Sequence, residues 1–155
     1  MLGLAATACG AAPRATPAAT ATTFTPTSSP ASGTLTISDT QAVRLRVTVQ
    51  IAATPDSRAR GLMGVTRLSD AQGMVFVFPT MNLTPFWMKD TVIPLDIAFW
   101  SSDGTIVDVQ QMQPCHDEPC PLYTPRHAFI DSVEVAGGLL ARAGVSVGDH
   151  ATLTP

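Results

Sequence analysis

The sequence predicts a mainly β fold, a single-domain β-sandwich or distorted barrel with one or two short helices, and three observations carry that expectation. Val43, Leu45, Val47, Val49 and Ile51 alternate with Arg44, Arg46, Thr48, Gln50 and Ala52, the period-2 pattern of a strand with an apolar inner face. The other apolar runs are short and are separated by Gly- and Pro-containing turns. Only two brief segments read as helices. At 155 residues the chain has room for one domain.

Each later element has a local reason. Thr54-Pro55-Asp56 offers an N-cap, a proline at the first helical position and an acid in the first turn, predicting a helix over about 55–62 that ends near Gly61 or Gly64. Met74 to Phe78 reads as a buried strand closed by Pro79. Leu95 to Trp100 and Ile106 to Val109 flank Ser101 to Thr105, whose Asp103-Gly104 pair marks a hairpin turn. Residues 113–127 hold four prolines and two cysteines and read as a loop. Phe129 to Val135 is a strand, Ala136 to Ala143 a short helix closed by Gly144, and Val145 to Leu153 a last strand entered through Gly148-Asp149. No internal repeat is visible.

The N-terminal third has another character. Of residues 1–33, ten are Ala, seven Thr, four Pro and three Ser, with Arg14 the lone charge. Such a segment has too little apolar area to offset the entropy of ordering, so residues 10–33 read as a disordered tether ahead of a domain at 34–155. Residues 1–9 resemble the tail of a bacterial lipoprotein signal, with small residues leading to Cys9. Ala6 stands where that signal usually has Leu, and the basic and long apolar regions of a full signal do not precede it. On this reading Cys9 is lipidated and the protein is exported and held on the outer face of the cell membrane, since two acyl chains suffice for stable anchoring.

Composition removes several classes. Hydrophobic residues make up 45%, enough for a core, which excludes wholesale disorder. Twelve acids face nine basic residues and no basic run occurs, so a nucleic-acid partner is not expected. No stretch approaches the roughly 18 apolar residues of a membrane-spanning helix. Cys115 and Cys120 are the thiols left after Cys9, and in an exported chain such a close pair in a loop is most simply a disulfide. With His116 and Asp117 they also offer metal ligands, but no second Cys or His pair completes a zinc set. Met63, Met74, Met81, Met88 and Met112 raise copper as a thought, yet no Met-x-Met or His-x-Met pair occurs, so they read mostly as core, and no metal or other cofactor is expected.

A family resemblance runs through the domain. Thr54 to Met63, Gly73 to Phe78 and Phe86-Trp87-Met88-Lys89-Asp90-Thr91-Val92-Ile93-Pro94-Leu95-Asp96-Ile97-Ala98-Phe99 resemble the domain-of-unknown-function family number 192. Asp103 to Val107, the loop ending near Tyr123, Val133 to Gly137 and Gly144 to Asp149 follow in that family's order, so the resemblance spans about 43–154. Asp90 stands where the family often has Asn. The resemblance implies a compact, mainly β domain from exported or envelope-linked settings and implies no activity.

Candidate ligand-binding residues are Arg58, Trp87, Lys89, Asp90, Thr91 and Asp96. Residues 86–88 supply an apolar wall, Lys89-Asp90-Thr91 supply polar groups, and Pro94 stiffens the segment, as in small-molecule sites. The plainer alternative packs Trp87 and Met88 in the core, solvates Lys89 and places Asp90 and Thr91 in a turn. Asp96 and Glu134 are acids within apolar strand patterns, either facing solvent or buried and paired, and Arg58 is the expected partner. Catalytic residues are not assignable. His116, His127 and His150 have no nucleophile motif beside them, and Asp90 and Asp96, six residues apart on a straight segment, would stand about 20 Å apart, too far for a glycosidase pair. The expected function is a monomeric binding or accessory module that meets an envelope ligand or protein, and the alternative is a hydrolase of an envelope polymer.

Overall fold

A computed structural model of the protein describes residues 31–155. The tether and Cys9 lie outside the described residues, except that β1 (Ser32–Ser38) begins two residues before the expected domain boundary. It is followed by β2 (Val43–Ala52), α1 (Pro55–Arg60), β3 (Gln72–Asn82), β4 (Phe86–Trp87), β5 (Leu95–Trp100), β6 (Ile106–Met112), β7 (Leu122–Tyr123), β8 (Phe129–Ala136), α2 (Leu139–Ala143) and β9 (His150–Thr154). Seven strands form one sheet in the order β6-β5-β8-β3-β2-β1-β9, while β4 and β7 pair separately.

The sheet curls until its edges meet at one point. Thr105, just before β6, bridges His150 at the start of β9, and Ala151 N donates to Gly104 O at 2.8 Å. Closure stops there, which leaves a distorted, incompletely closed barrel. All seven strands contribute to an aliphatic core inside the curl, including Leu35, Val47, Val75, Ala98, Ile106, Val133 and Ala151. Because strand side chains alternate, the neighbouring positions on the central strands form a second core outside it, built from Phe76, Phe86, Ile97, Phe99, Met112 and Phe129. Edge-to-face ring contacts, such as Phe99–Phe129 at 4.9 Å, hold that second core together.

One connection positions everything that follows. β2 and β3 pair in parallel, so the chain must cross over between them, and residues 53–71 do so across the outer core, burying Leu62 and bringing Val65 and Leu68 against it. Thr54 caps α1 by accepting from Ser57 N, and the helix ends at Arg60 with Gly61, the first of the two expected stops, as its C-cap. Gly61 has φ of 48° and ψ of −137°, a backbone conformation that residues with a Cβ rarely adopt, so glycine lets the chain turn out of α1 there.

Other boundaries differ for identifiable reasons. β3 continues past Pro79 to Asn82 because its pairing with β8 breaks between Val77 and Asn82, sparing the proline a ladder bond. Residues 136–138 finish β8 and turn before α2, which is shorter than expected, and residues 145–149 form a turn before β9. The 113–127 loop contains the two-residue β7.

Candidate functional site

The first turn of the crossover, the β4 segment and β8 enclose a small cavity of about 30 Å3, lined by Arg58 to Met63, Phe76, Phe86, Trp87, Thr91 and Glu134. Glu134 is its distinctive member. It is 4% exposed, on the outer face of β8 opposite Met74 and Ile97. No described residue hydrogen-bonds its carboxyl or pairs with it, and burial alone pushes its pKa up to about 8. The group is therefore largely protonated near neutral pH, able to donate one hydrogen bond and accept another. Two residues earlier on the same face, Ser132 Oγ is wholly buried and also without a partner among the described residues. A core that leaves a buried hydroxyl without a partner and opens a carboxyl beside it onto a cavity is unusual, since buried polar groups are normally satisfied.

Trp87 gives the cavity its mouth. It is 48% exposed, whereas Met88 beside it is fully buried, an alternation set by the short β4–β7 pairing of Phe86 with Tyr123 and Trp87 with Leu122. Thr91 is buried, its hydroxyl donating to Lys89 O at 3.3 Å.

The structure separates the six candidates. Arg58, Trp87 and Thr91 line the cavity, and Lys89, Asp90 and Asp96 do not. Arg58 pairs with neither Asp96 nor Glu134, correcting that expectation. Its guanidinium donates to Ala53 O at 2.7 Å and Val77 O at 2.9 Å and lies 4.8 Å above the Phe78 ring, so it fastens the crossover to β3. Asp96 faces the inner core, where its two oxygens accept from Gly138 N and Leu140 N, each at 2.9 Å. It thereby caps α2, whose own N-cap, Gly138, has no side chain to do so. Lys89 extends to Glu118 at 2.6 Å and lies 5.6 Å from the Trp87 ring centre; the Glu118 contact raises its pKa. Asp90 occupies the left-handed region, φ 54°, at an exposed turn, a conformation that Asn and Asp tolerate better than other residues with a Cβ.

Cys115 and Cys120 form a disulfide, with Cα atoms 5.7 Å apart, in the loop that also carries Glu118. Among the described residues no group of three or more His, Cys, Asp or Glu is placed to hold a metal ion. Met74, Met88 and Met112 are core residues.

Sequence reasoning noted Glu134 only as a paired or solvent-facing acid. The signal available was an acid between Val133 and Val135, and its lack of a partner depends on strands distant in sequence.

Fold and site together define a small curled β domain whose crossover encloses a buried, unpartnered carboxyl. The chain belongs to the DUF192 family, described as Uncharacterized ACR, whose profile matches residues 35–153. Similar solved structures include a candidate transcription regulator from Sinorhizobium meliloti 1021, 30% identical with a TM-score of 0.74 over 81% of this chain and 96% of that one. Another is a protein of unknown function from Novosphingobium aromaticivorans DSM 12444, 30% identical with a TM-score of 0.71 over 77% of this chain and 83% of that one. No curated protein matches the chain.

Proposed function

We propose that this protein is an exported, membrane-anchored binding module of the cell envelope, and that the cavity over Glu134 is its recognition site. The observation that carries the reading is Glu134 itself: a carboxyl buried without a partner costs stability, and a ligand group reaching it would recover that cost as affinity. The small cavity admits only the polar head of a ligand, such as a hydroxyl, amide or amine, while the half-exposed Trp87 offers a flat surface for its body. Cys9 behind the Ala/Thr/Pro-rich segment supports the anchor.

A raised carboxyl pKa also suits a general acid, which keeps an envelope hydrolase as the rival reading. That chemistry calls for a second acid or a nucleophile, and Glu134 is the lone acid of the cavity lining. A regulator acting on DNA would call for a basic face, which twelve acids against nine basic residues do not favour.

Two measurements test the proposal. Soluble cell-wall fragments titrated into the full chain should alter Trp87 fluorescence saturably, with Trp100 as the buried internal reference, and Glu134→Ala should abolish the change. Fragment cleavage that is lost in Glu134→Gln would replace the binding reading with the hydrolase one. For the anchor, protein expressed from its native locus in a lipoprotein-processing bacterium should partition into detergent, and the Cys9→Ser variant should not. Identical aqueous partitioning of both would remove the anchor.

A further inference from the structure

The crossover that walls the Glu134 cavity has a second, larger opening on its other side. Between residues 57–68 and the outer face of β2 and β3 lies a groove of about 730 Å3. That volume falls in the range of about 300–1,000 Å3 typical of small-molecule sites. One wall is apolar, made by Leu62, Met63, Val65, Leu68 and Met74, and the floor carries the polar side chains of Thr48, Gln50 and Gln72.

Its charge is one-sided. Arg60 and Arg67 are the only charged residues of the lining, in a chain whose net charge is −3. Every ion pair among the described residues involves other side chains, so both guanidiniums lack an acidic partner there. Residues 1–30 contain no Asp or Glu that could reach back to them. The crossover brings Arg60, in the last turn of α1, to the groove with Arg67. A guanidinium presents a planar fork of donors matched to carboxylate, sulfonate and phosphate oxygens, and an apolar wall beside two such forks suits a ligand that has both parts.

We propose that this groove binds a free organic anion, with its carboxylate, sulfonate or phosphate head between Arg60 and Arg67 and its apolar body along Leu62, Val65 and Leu68. The groove shares the Arg60 to Met63 wall with the Glu134 cavity, but Arg67, Val65 and Leu68 line the groove alone, so Arg67 tests it separately. The occupant is a dissolved small molecule. A membrane surface, a second copy of this chain and the chain's own N-terminal segment are the competing occupants.

The test is calorimetric titration of the full chain with decanoate below its micelle concentration, with decanol and decylammonium as matched probes, and fluorescence titration with 1-anilinonaphthalene-8-sulfonate. Saturable one-to-one binding of decanoate and the sulfonate is expected, with the alcohol and the amine at least about tenfold weaker. Arg67→Gln should weaken decanoate by about tenfold without altering the circular-dichroism spectrum or the response of Trp87 to cell-wall fragments, and Arg60→Gln/Arg67→Gln should weaken decanoate by more. Equal affinity for decanoate and decanol, or unchanged affinity in the double variant, would overturn the proposal. So would binding to phosphatidylglycerol vesicles without binding of monomeric decanoate, self-association that decanoate does not reverse, or binding that appears only when residues 1–30 are removed.

Discussion

Asp96 and Glu134 stand one residue out of step on neighbouring strands, Asp96 opposite Val135 and Ile97 opposite Glu134, and so project to opposite faces of the sheet. The separation gives two buried acids two different fates. Asp96 enters the inner core and has both oxygens occupied by amides of the turn into α2, whereas Glu134 enters the outer core and meets a cavity. With the sheet between them they cannot act as a carboxylate pair on one substrate.

Stability should fall as pH rises, through Glu134. Its pKa rises from 4.5 to about 8 on folding, so below about pH 4.5 both states hold the proton and no penalty applies. Between these values the unfolded chain releases the proton and the folded chain keeps it, and stability declines until about pH 8. The span corresponds to at most about 5 kcal/mol. Urea denaturation across pH 5 to 8 should show this decline in the wild type and lose most of it in Glu134→Gln. A flat wild-type profile would mean that Glu134 has a partner in solution.

Asp96→Ala should cost about 2–4 kcal/mol, because Gly138 N and Leu140 N lose their acceptor where water cannot readily replace it. Asp96→Asn, which keeps one carbonyl oxygen, should cost less. Chemical denaturation reads both, and an Asp96→Ala change under about 1 kcal/mol would remove its capping role.

At residues 89–90 the expectation is tolerance with one exception. Asp90→Asn and Asp90→Gly keep a residue suited to φ of 54° and should change stability by under about 1 kcal/mol, while Asp90→Val should cost about 1–2 kcal/mol. Lys89→Ala removes an exposed ion pair with Glu118 and should leave the melting temperature within a few degrees of the wild type. Val75→Ala, in the inner core, is the control and should cost about 1–3 kcal/mol. Thermal unfolding in which Asp90→Asn matches Val75→Ala would contradict the turn assignment.

The Cys115–Cys120 bond removes little chain entropy, since only four residues lie between the two, and its loss should cost at most about 2 kcal/mol. Cys115→Ser/Cys120→Ser should fold. Alkylation of both thiols in non-reduced native protein would show that the bond does not form.

The parts of this fold legible in the sequence are those decided within a few residues. The alternation from Val43 to Ala52 and the Thr54-Pro55-Asp56 cap carry their own signals, and β2 and α1 lie nearly where those signals place them. β1 was hidden because Ser32 and Thr34 resemble the preceding tether, and what makes it a strand is pairing with β2 and β9. Likewise, nothing near Asp96 specifies that Gly138 and Leu140 will lie against it, 42 and 44 residues away. The site was legible as residue types around 86–91 but not as a cavity, because its floor comes from β8 and its opposite wall from the crossover.

The central claim is that Glu134 stands unpartnered and is the group a ligand meets. The most direct test is a carbon-13 NMR titration of its side-chain carboxyl in the full chain, free and with whichever cell-wall fragment shifts Trp87 fluorescence. The account predicts a midpoint near 8 in the free protein and a displaced midpoint in the complex. A midpoint near 4.5 in the free protein, or one that the bound fragment leaves unmoved, would contradict it.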